Sequence, residues 1–83
     1  MDGENFAYEG RSGPWACTIY LLKTSDGNFA ATGDIAFRGQ HRCKLVLCRP
    51  LISVETGIGI LKRQCIAWIE QAELDAEAAA LSS

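Results

Sequence analysis

Four cysteines and one histidine are the side chains of this 83-residue chain best suited to binding a metal ion. The cysteines are Cys17, Cys43, Cys48 and Cys65, and they include no CxxC pair. Cys43 and Cys48 are an odd number of residues apart on a predicted strand, which places their side chains on opposite faces. His41 and Cys43 are the best-spaced pair of ligands, but the sequence offers no third or fourth ligand within reach. We therefore predict no metal site and no cofactor, with the cysteines as buried or half-buried free thiols.

The same His41 and Cys43 are the best candidates for a base and a nucleophile. Residues two apart on a strand lie about 6 to 7 Å from each other, and a third group is needed to orient the base. The sequence supplies no such group. The carboxylates of Glu70, Glu73 and Glu77 are typical of the solvated side of a helix rather than of an acid–base pair. We predict that the protein is not an enzyme.

Two glycines, Gly57 and Gly59, fall near the start of a predicted helix, where each costs about 1 kcal/mol relative to alanine. In one interpretation they expose the first-turn amides to an anionic ligand. In the other they let the helix start pack closely on the sheet. The motif TGIGILKR lacks the Lys-Ser/Thr ending of a phosphate-binding loop, which favours the packing interpretation.

A long helix is predicted from residue 53 to residue 72, and the strands that carry the other candidate residues must pack against it. Its apolar residues recur at intervals of three and four and form one stripe: Ile58, Leu61, Cys65, Trp68, Ile69 and Ala72. Ser53 is the predicted N-cap. Good helix formers continue towards Leu81, but acidic residues lie near the C-terminus, where the helix dipole disfavours them. We expect the last turns to fray.

Three strands are predicted before the helix, at residues 15–23, 29–37 and 42–49, because apolar and polar residues alternate along them. Turn residues separate the strands at positions 25–28 and 38–41. Gly33 interrupts the second strand on its apolar side. Its missing side chain is interpreted as room for the ring of Trp68, and the alternative is a turn at Gly33 and Asp34 that splits the strand.

These elements predict an α+β fold, a three-stranded antiparallel meander with one long C-terminal helix packed on one face. Residues 1–12 are predicted to be a flexible N-terminal arm that could add a short edge strand over residues 6–8, and residues 13–80 form the single domain. The predicted core contains Trp15, Cys17, Ile19, Leu21, Phe29, Ala31, Ile35, Leu45, Leu47, Ile58, Leu61, Cys65, Trp68 and Ile69.

Composition and charge exclude several classes of protein. A hydrophobic fraction of 48% is ordinary for a globular chain and too high for a disordered one. The net charge of −2 gives no overall attraction to nucleic acid or to an anionic membrane. The N-terminus has no apolar signal core, and no apolar run is long enough to span a bilayer. We therefore expect a cytoplasmic protein with reduced cysteines and no membrane association.

The predicted outer face of the sheet is the best candidate for a binding surface. Tyr20, Leu22 and Val46 form a partly apolar set on this face, which favours a protein partner or a homodimer. Tyr20 also lies near a basic set made of Arg38, Arg42 and Lys44, which is an alternative surface for nucleic acid. Because the chain is acidic overall, we favour a non-catalytic module that binds a protein or itself over one that binds nucleic acid.

The order of several short segments resembles that of a group of short bacterial proteins of unknown function with a β-β-β-α layout. The segments are Tyr8-Glu9-Gly10, Trp15 with its strand, Asp26-Gly27, residues 53–57 and Cys65-Ile66-Ala67-Trp68-Ile69. Residues 15–70 are also distantly similar, in the order of elements only, to the compact domain of HicB-type antitoxins and to double-stranded-RNA-binding folds. The resemblance implies a fold and a bacterial source. It implies no activity, because the chain lacks the Lys-Lys-x-x-Lys helix start of the RNA binders and the separate DNA-binding segment of the antitoxins.

Overall fold

The structure, a computed structural model, describes residues 3–22 and 27–82, in which four strands precede one long helix. The elements are β1 (Gly3–Gly10), β2 (Gly13–Leu21), β3 (Phe29–Phe37), β4 (Gln40–Arg49) and α1 (Val54–Ser82). The strands form one antiparallel sheet in the order β1-β2-β3-β4, and α1 packs on one face, chiefly against β3. The predicted α+β fold with a C-terminal helix on an antiparallel sheet is confirmed. The predicted number of strands is wrong, since the sheet has four rather than three.

The additional strand is β1, in the segment that is predicted from the sequence to be an arm. It pairs with β2 along its whole length, from Gly3 opposite Tyr20 to Gly10 opposite Gly13. Phe6 and Tyr8 face the helix side and are half-buried, while Asn5, Ala7 and Glu9, which alternate with them, are exposed. This alternation is only a few residues long and lies between glycines, so composition alone favours a loop.

The core lies between the helix and the inner face, by which we mean the face of the sheet that α1 covers. Most of the predicted core is buried there: Trp15, Cys17, Ile19, Phe29, Ala31, Ile35, Leu47, Leu61, Cys65 and Ile69. Four predicted members are only half-buried at its margins: Leu21, Leu45, Ile58 and Trp68. A single helix is narrower than a four-stranded sheet, so residues away from the helix axis keep part of their surface exposed.

Ser53 caps the helix as predicted. Its hydroxyl oxygen accepts a hydrogen bond of 3.1 Å from the backbone N–H of Thr56. The helix continues to Ser82, beyond the predicted minimum at residue 72. Its 29 residues span about 43 Å, whereas a ten-residue strand spans about 33 Å. The last helical turns therefore extend beyond the sheet.

Gly33 and Gly57 are the two positions where the helix touches the sheet most closely. A β-carbon at Gly33 would lie 2.9 Å from the sulfur of Cys65, so Cys65 occupies the space that the sequence suggested for Trp68. Trp68 instead packs edge-on against Trp15, with ring centroids 6.1 Å apart. A β-carbon at Gly57 would lie 2.5 Å from the ring of Phe29. Close packing thus explains Gly57, as predicted. It does not explain Gly59, where a β-carbon would meet the guanidinium of Arg63 at 3.8 Å, an ordinary contact distance.

The β3–β4 turn is a two-residue hairpin loop. Arg38 and Gly39 both have positive φ, 52° and 82°, as a type I′ turn requires. In the predicted turn Gly39 is the first central residue, whereas in the structure it is the second. The β2–β3 connection predicted at residues 25–28 lies partly outside the described residues, as does Lys23 at the predicted end of the first of the three strands.

Candidate interaction surfaces

The helix crosses the inner face diagonally. It begins over β3, where Gly57 meets Phe29, and passes Gly33 at the middle of the same strand. Its later turns reach the β1–β2 turn at the hairpin end of the sheet, by which we mean the end that holds the β1–β2 and β3–β4 turns. The diagonal path leaves two corners of the inner face uncovered. One lies over β1 at the opposite end, and the other lies over β3 and β4 at the hairpin end.

Glu73 anchors the helix to the β1–β2 turn. Its carboxylate accepts hydrogen bonds from the backbone N–H of Ser12 (3.0 Å), the Ser12 hydroxyl (2.6 Å) and the indole N–H of Trp15 (2.7 Å). The bond from the Ser12 hydroxyl and then that from Trp15 lower the pKa of Glu73, because both favour its charged form. Gly10 leaves room for the carboxylate, which a side chain there would contact.

The interpretation of Glu73 as part of the solvated side of the helix is therefore wrong, since Glu73 is buried. One signal in the sequence could have shown this. Glu73 follows Leu61, Cys65 and Ile69 at intervals of four, so it lies on the same helical stripe as the core. A charged residue that continues a buried stripe needs hydrogen-bond donors, and the Ser12 turn supplies them.

The two neighbouring acidic residues also contact the β1–β2 hairpin. The hydroxyl of Tyr8 donates a hydrogen bond of 3.0 Å to Glu70, which raises the pKa of the tyrosine because the bond favours its protonated form. Arg11 forms an exposed ion pair of 2.8 Å with Glu77. These residues line a groove of about 330 Å³ between hairpin and helix. Tyr8 and Arg11 thus pair with Glu70 and Glu77 across the groove. These polar side chains hold the hairpin on the helix.

The outer face, on the side of the sheet away from the helix, brings the predicted partner-binding residues together. Tyr20 is opposite Thr32, and Thr32 is opposite Val46, so these three form one row across β2, β3 and β4. Leu22 directly follows β2, and its backbone N–H donates a hydrogen bond to the carbonyl of Ala30. Because it is two residues from Tyr20, its side chain lies on the same face of the sheet. Tyr20, Leu22 and Val46 are 45%, 46% and 59% exposed.

The rest of the outer face carries small, polar and charged side chains. Ala7, Ala16 and Ala36 form one row of small side chains. The row between this one and the apolar set is polar and contains Asn5, Thr18, Asp34 and Lys44. The face thus combines an apolar patch at one end with small residues at the other.

His41 and Cys43, the best-spaced pair in the sequence, lie on opposite faces. The register between β3 and β4 shifts, so that Ile35 is opposite Cys43 but Ala36 is opposite His41. The extra residue, Arg42, forms a β-bulge that reverses the expected parity. His41 approaches Asp34 on the outer face at 3.5 Å, and Cys43 is half-buried on the inner face.

The bulge also divides the predicted nucleic-acid surface. Tyr20 and Lys44 lie on the outer face. The guanidinium of Arg42, which is expected beside them, instead lies 5.8 Å from the ring centroid of Trp15 and 5.9 Å from that of Phe37, both on the inner face. Arg38 lies at the hairpin end, where it donates a hydrogen bond to the carbonyl of Ser12. The four residues do not share one surface.

The four cysteines are free thiols, as predicted. Cys17 and Cys65 are buried and Cys43 is half-buried, whereas Cys48 is exposed, contrary to expectation, two residues from Val46 on the same strand. Burial raises the pKa of Cys65 to about 12 and also raises that of Cys17. The core thiols therefore remain protonated at neutral pH.

Comparison with known proteins finds no matching family model, no matching curated protein and no matching solved structure. Within the described residues, no group of three or more His, Cys, Asp and Glu side chains is arranged to hold a metal ion. No helix in residues 3–22 and 27–82 combines the length and the apolar character needed to cross a bilayer.

Proposed function

We propose that the protein is a small non-catalytic interaction module that binds a protein partner, or a second copy of itself, through the outer face of its sheet. The observation that carries this proposal is the position of Tyr20, Leu22 and Val46 in two adjoining rows, each about half-exposed, on a face that the helix does not cover. Exposed apolar side chains grouped on one face, here with Thr32 between Tyr20 and Val46, mark interaction sites more often than an isolated exposed leucine does.

The size and the shape of the outer face also suit a binding surface. Four strands about 4.8 Å apart and about 30 Å long present a face of about 600 Å², close to the 800 Å² or so that each partner buries in a standard interface. The row of Ala7, Ala16 and Ala36 presents only small side chains to a partner. The apolar set itself contains no charged group that a partner would have to desolvate.

The experiment compares wild type with the double variant Tyr20→Ser/Val46→Ser and with the control Ala67→Ser, a polar change at an exposed helical position. Self-association is measured by ¹H–¹⁵N NMR over a concentration series, and partner binding by capture from a cell lysate. We expect shifts at residues 20, 22 and 46, or a captured protein, that the double variant loses and the control keeps. If neither assay separates the double variant from the control, the outer face is not the binding surface.

Titration with single- and double-stranded oligonucleotides at low salt tests the competing function. Salt-sensitive shifts at Tyr20 and Lys44 would replace protein binding with nucleic-acid binding as the function of this face.

A further inference from the structure

A cationic side chain lies over aromatic rings at each of the two uncovered corners of the inner face. Only one of the two cations forms an ion pair with a carboxylate. Over β1, the ammonium of Lys62 lies 5.7 Å from the ring centroid of Phe6 and forms an ion pair with Glu4. Over β3 and β4, the guanidinium of Arg42 lies over Trp15 and Phe37. Within the described part of the chain, no carboxylate is within ion-pair distance of Arg42.

We name the second region the arginine corner and define it by Phe37, Arg38, Arg42 and Trp68. Phe37 and Trp68 are half-buried, and both rings pack against Trp15, at centroid distances of 4.6 Å and 6.1 Å. The guanidinium of Arg38 lies 5.3 Å from the ring centroid of Phe37 and donates one hydrogen bond of 3.1 Å to the Ser12 carbonyl. Two guanidinium groups beside aromatic rings offer several N–H donors in fixed planes, an arrangement that suits carboxylates.

The same end of the molecule carries an acidic helix end. Residues 64–83 contain four acidic residues and no basic one. Three of them, Glu70, Glu73 and Glu77, bind the β1–β2 hairpin, whereas the exposed Asp75 accepts a hydrogen bond of 3.0 Å from Gln71 of its own helix. Residues 74–82, beyond the Glu73 anchor, extend past the sheet, with Leu74 54% and Leu81 88% exposed and Asp75 also exposed. Carboxylates near a helix C-terminus are unfavourable because of the helix dipole, so a cation from another molecule would stabilise them.

We propose that the arginine corner binds the helix end, residues 74–82, of a second copy of this chain. Asp75 pairs with Arg42 of the other copy, and Ala79, one turn further along the same face of the helix, lies against the exposed edges of Phe37 and Trp68. The contact is reciprocal about a twofold axis, so it is made twice in each dimer. Only a few residues of each copy take part, so the interface falls in the small class of under about 1,200 Å² in total, and the dimer is accordingly weak. The outer face lies on the other side of the sheet and takes no part in it.

The test is a charge exchange measured by sedimentation equilibrium at low salt. Wild-type protein is expected to form a detectable dimer as its concentration is raised to about 1 mM. Arg42→Glu and Asp75→Arg should each weaken the dimer by about tenfold or more, because each places like charges together twice. An equimolar mixture of the two variants should restore it. In the mixed dimer one contact keeps the wild-type charges and the other has them exchanged.

The matched control is Lys44→Glu, the same change of charge on the same strand but on the outer face, and it should leave the dimer unchanged. Thermal unfolding and an NMR spectrum establish that each variant is folded. If Arg42→Glu is not, Arg42→Gln replaces it, and its mixture with Asp75→Arg should dimerise more strongly than either variant alone, because one of the two contacts keeps the wild-type charges.

Four results would overturn the proposal. The first is a wild-type protein that stays strictly monomeric at about 1 mM, and the second is a dimer that Lys44→Glu weakens as much as Arg42→Glu does. The third is an equimolar mixture of the folded variants that stays monomeric. The fourth is a dimer that is lost in Tyr20→Ser/Val46→Ser but kept in Arg42→Glu. The last result would leave the proposed function of the outer face in place. Binding of an oligonucleotide at Arg38 and Arg42 by a monomeric protein would identify the corner as a nucleic-acid site instead.

Discussion

The two halves of the helix are held on the sheet by different kinds of contact. Residues 54–69 are held mainly by apolar close packing, in which Gly57 meets Phe29 and Cys65 meets Gly33, with one ion pair from Lys62 to Glu4. Residues 70–77 are held by hydrogen bonds and an ion pair from Glu70, Glu73 and Glu77 to the β1–β2 hairpin, and residues 78–82 extend beyond it. The comparison teaches that one amphipathic helix can use shape to fix its first half and directional polar contacts to fix its second. Substitutions and pH should therefore act differently on the two halves.

The largest effect is expected for truncation in the apolar half. Ile69 is fully buried, so Ile69→Ala should lower the free energy of unfolding by about 2 to 5 kcal/mol. Leu74→Ala, in the second half and more than half exposed, should change it by less than about 0.5 kcal/mol. Urea denaturation of both variants measures the difference. Equal losses would mean that the two halves do not differ in burial.

The next effect concerns the close approach of Gly57 to Phe29. A methyl group there would overlap the ring, so Gly57→Ala should destabilise the fold by about 1 to 3 kcal/mol although alanine is the better helix former. Thermal unfolding measures this loss. A gain in stability would show that the ring of Phe29 moves aside at little cost.

Gly59, two residues away, provides the contrasting case with a smaller effect of opposite sign. Its nearest neighbour would be the guanidinium of Arg63 at 3.8 Å, which is ordinary contact. Gly59→Ala should therefore stabilise the protein by about 0.5 to 1 kcal/mol, through helix propensity and a less flexible unfolded chain. If calorimetry shows destabilisation, Gly59 has a role other than packing.

The smallest effect is expected in acid, and it belongs to the polar half. The Ser12 hydroxyl lowers the pKa of Glu73 in the folded protein below its ordinary value of 4.5. The stability contributed by Glu73 is therefore fully present above pH 4.5 and is lost as the pH falls through the lower, folded value. Glu73→Gln should remove this part of the acid dependence, and Asp75→Asn, an exposed carboxylate of the same half, should retain it. Denaturation midpoints from pH 6 or so to about pH 3 measure both.

The sequence predicts the apolar half of the molecule well. The alternation in β3 gives its bounds and its buried face, and the helical stripe gives Leu61, Cys65 and Ile69. Both are repeated patterns, which single residues do not disturb. The position of Trp68 could not be predicted, because the residue that fills the space at Gly33 depends on the rotation of the helix by part of a turn.

Single residues decide the features that the sequence does not predict. The extra residue Arg42 moves one guanidinium to the inner face and separates His41 from Cys43, and nothing in the local pattern marks the bulge. Glu73 depends on a turn 61 residues away. The outer-face set of Tyr20, Leu22 and Val46 follows from strand parity alone, so its residues could be placed together from the sequence.

The anchoring of the helix by the β1–β2 turn also has a consequence for the order in which the chain folds. Each strand pairs with its neighbour in the sequence, so the sheet assembles through local loop closures. The contacts of Trp15 with Glu73 and of Arg11 with Glu77 join residues 58 and 66 positions apart. Closing such a long segment costs more chain entropy than closing a hairpin, so these contacts should form after the sheet. Weakening them should accelerate unfolding more than it slows folding.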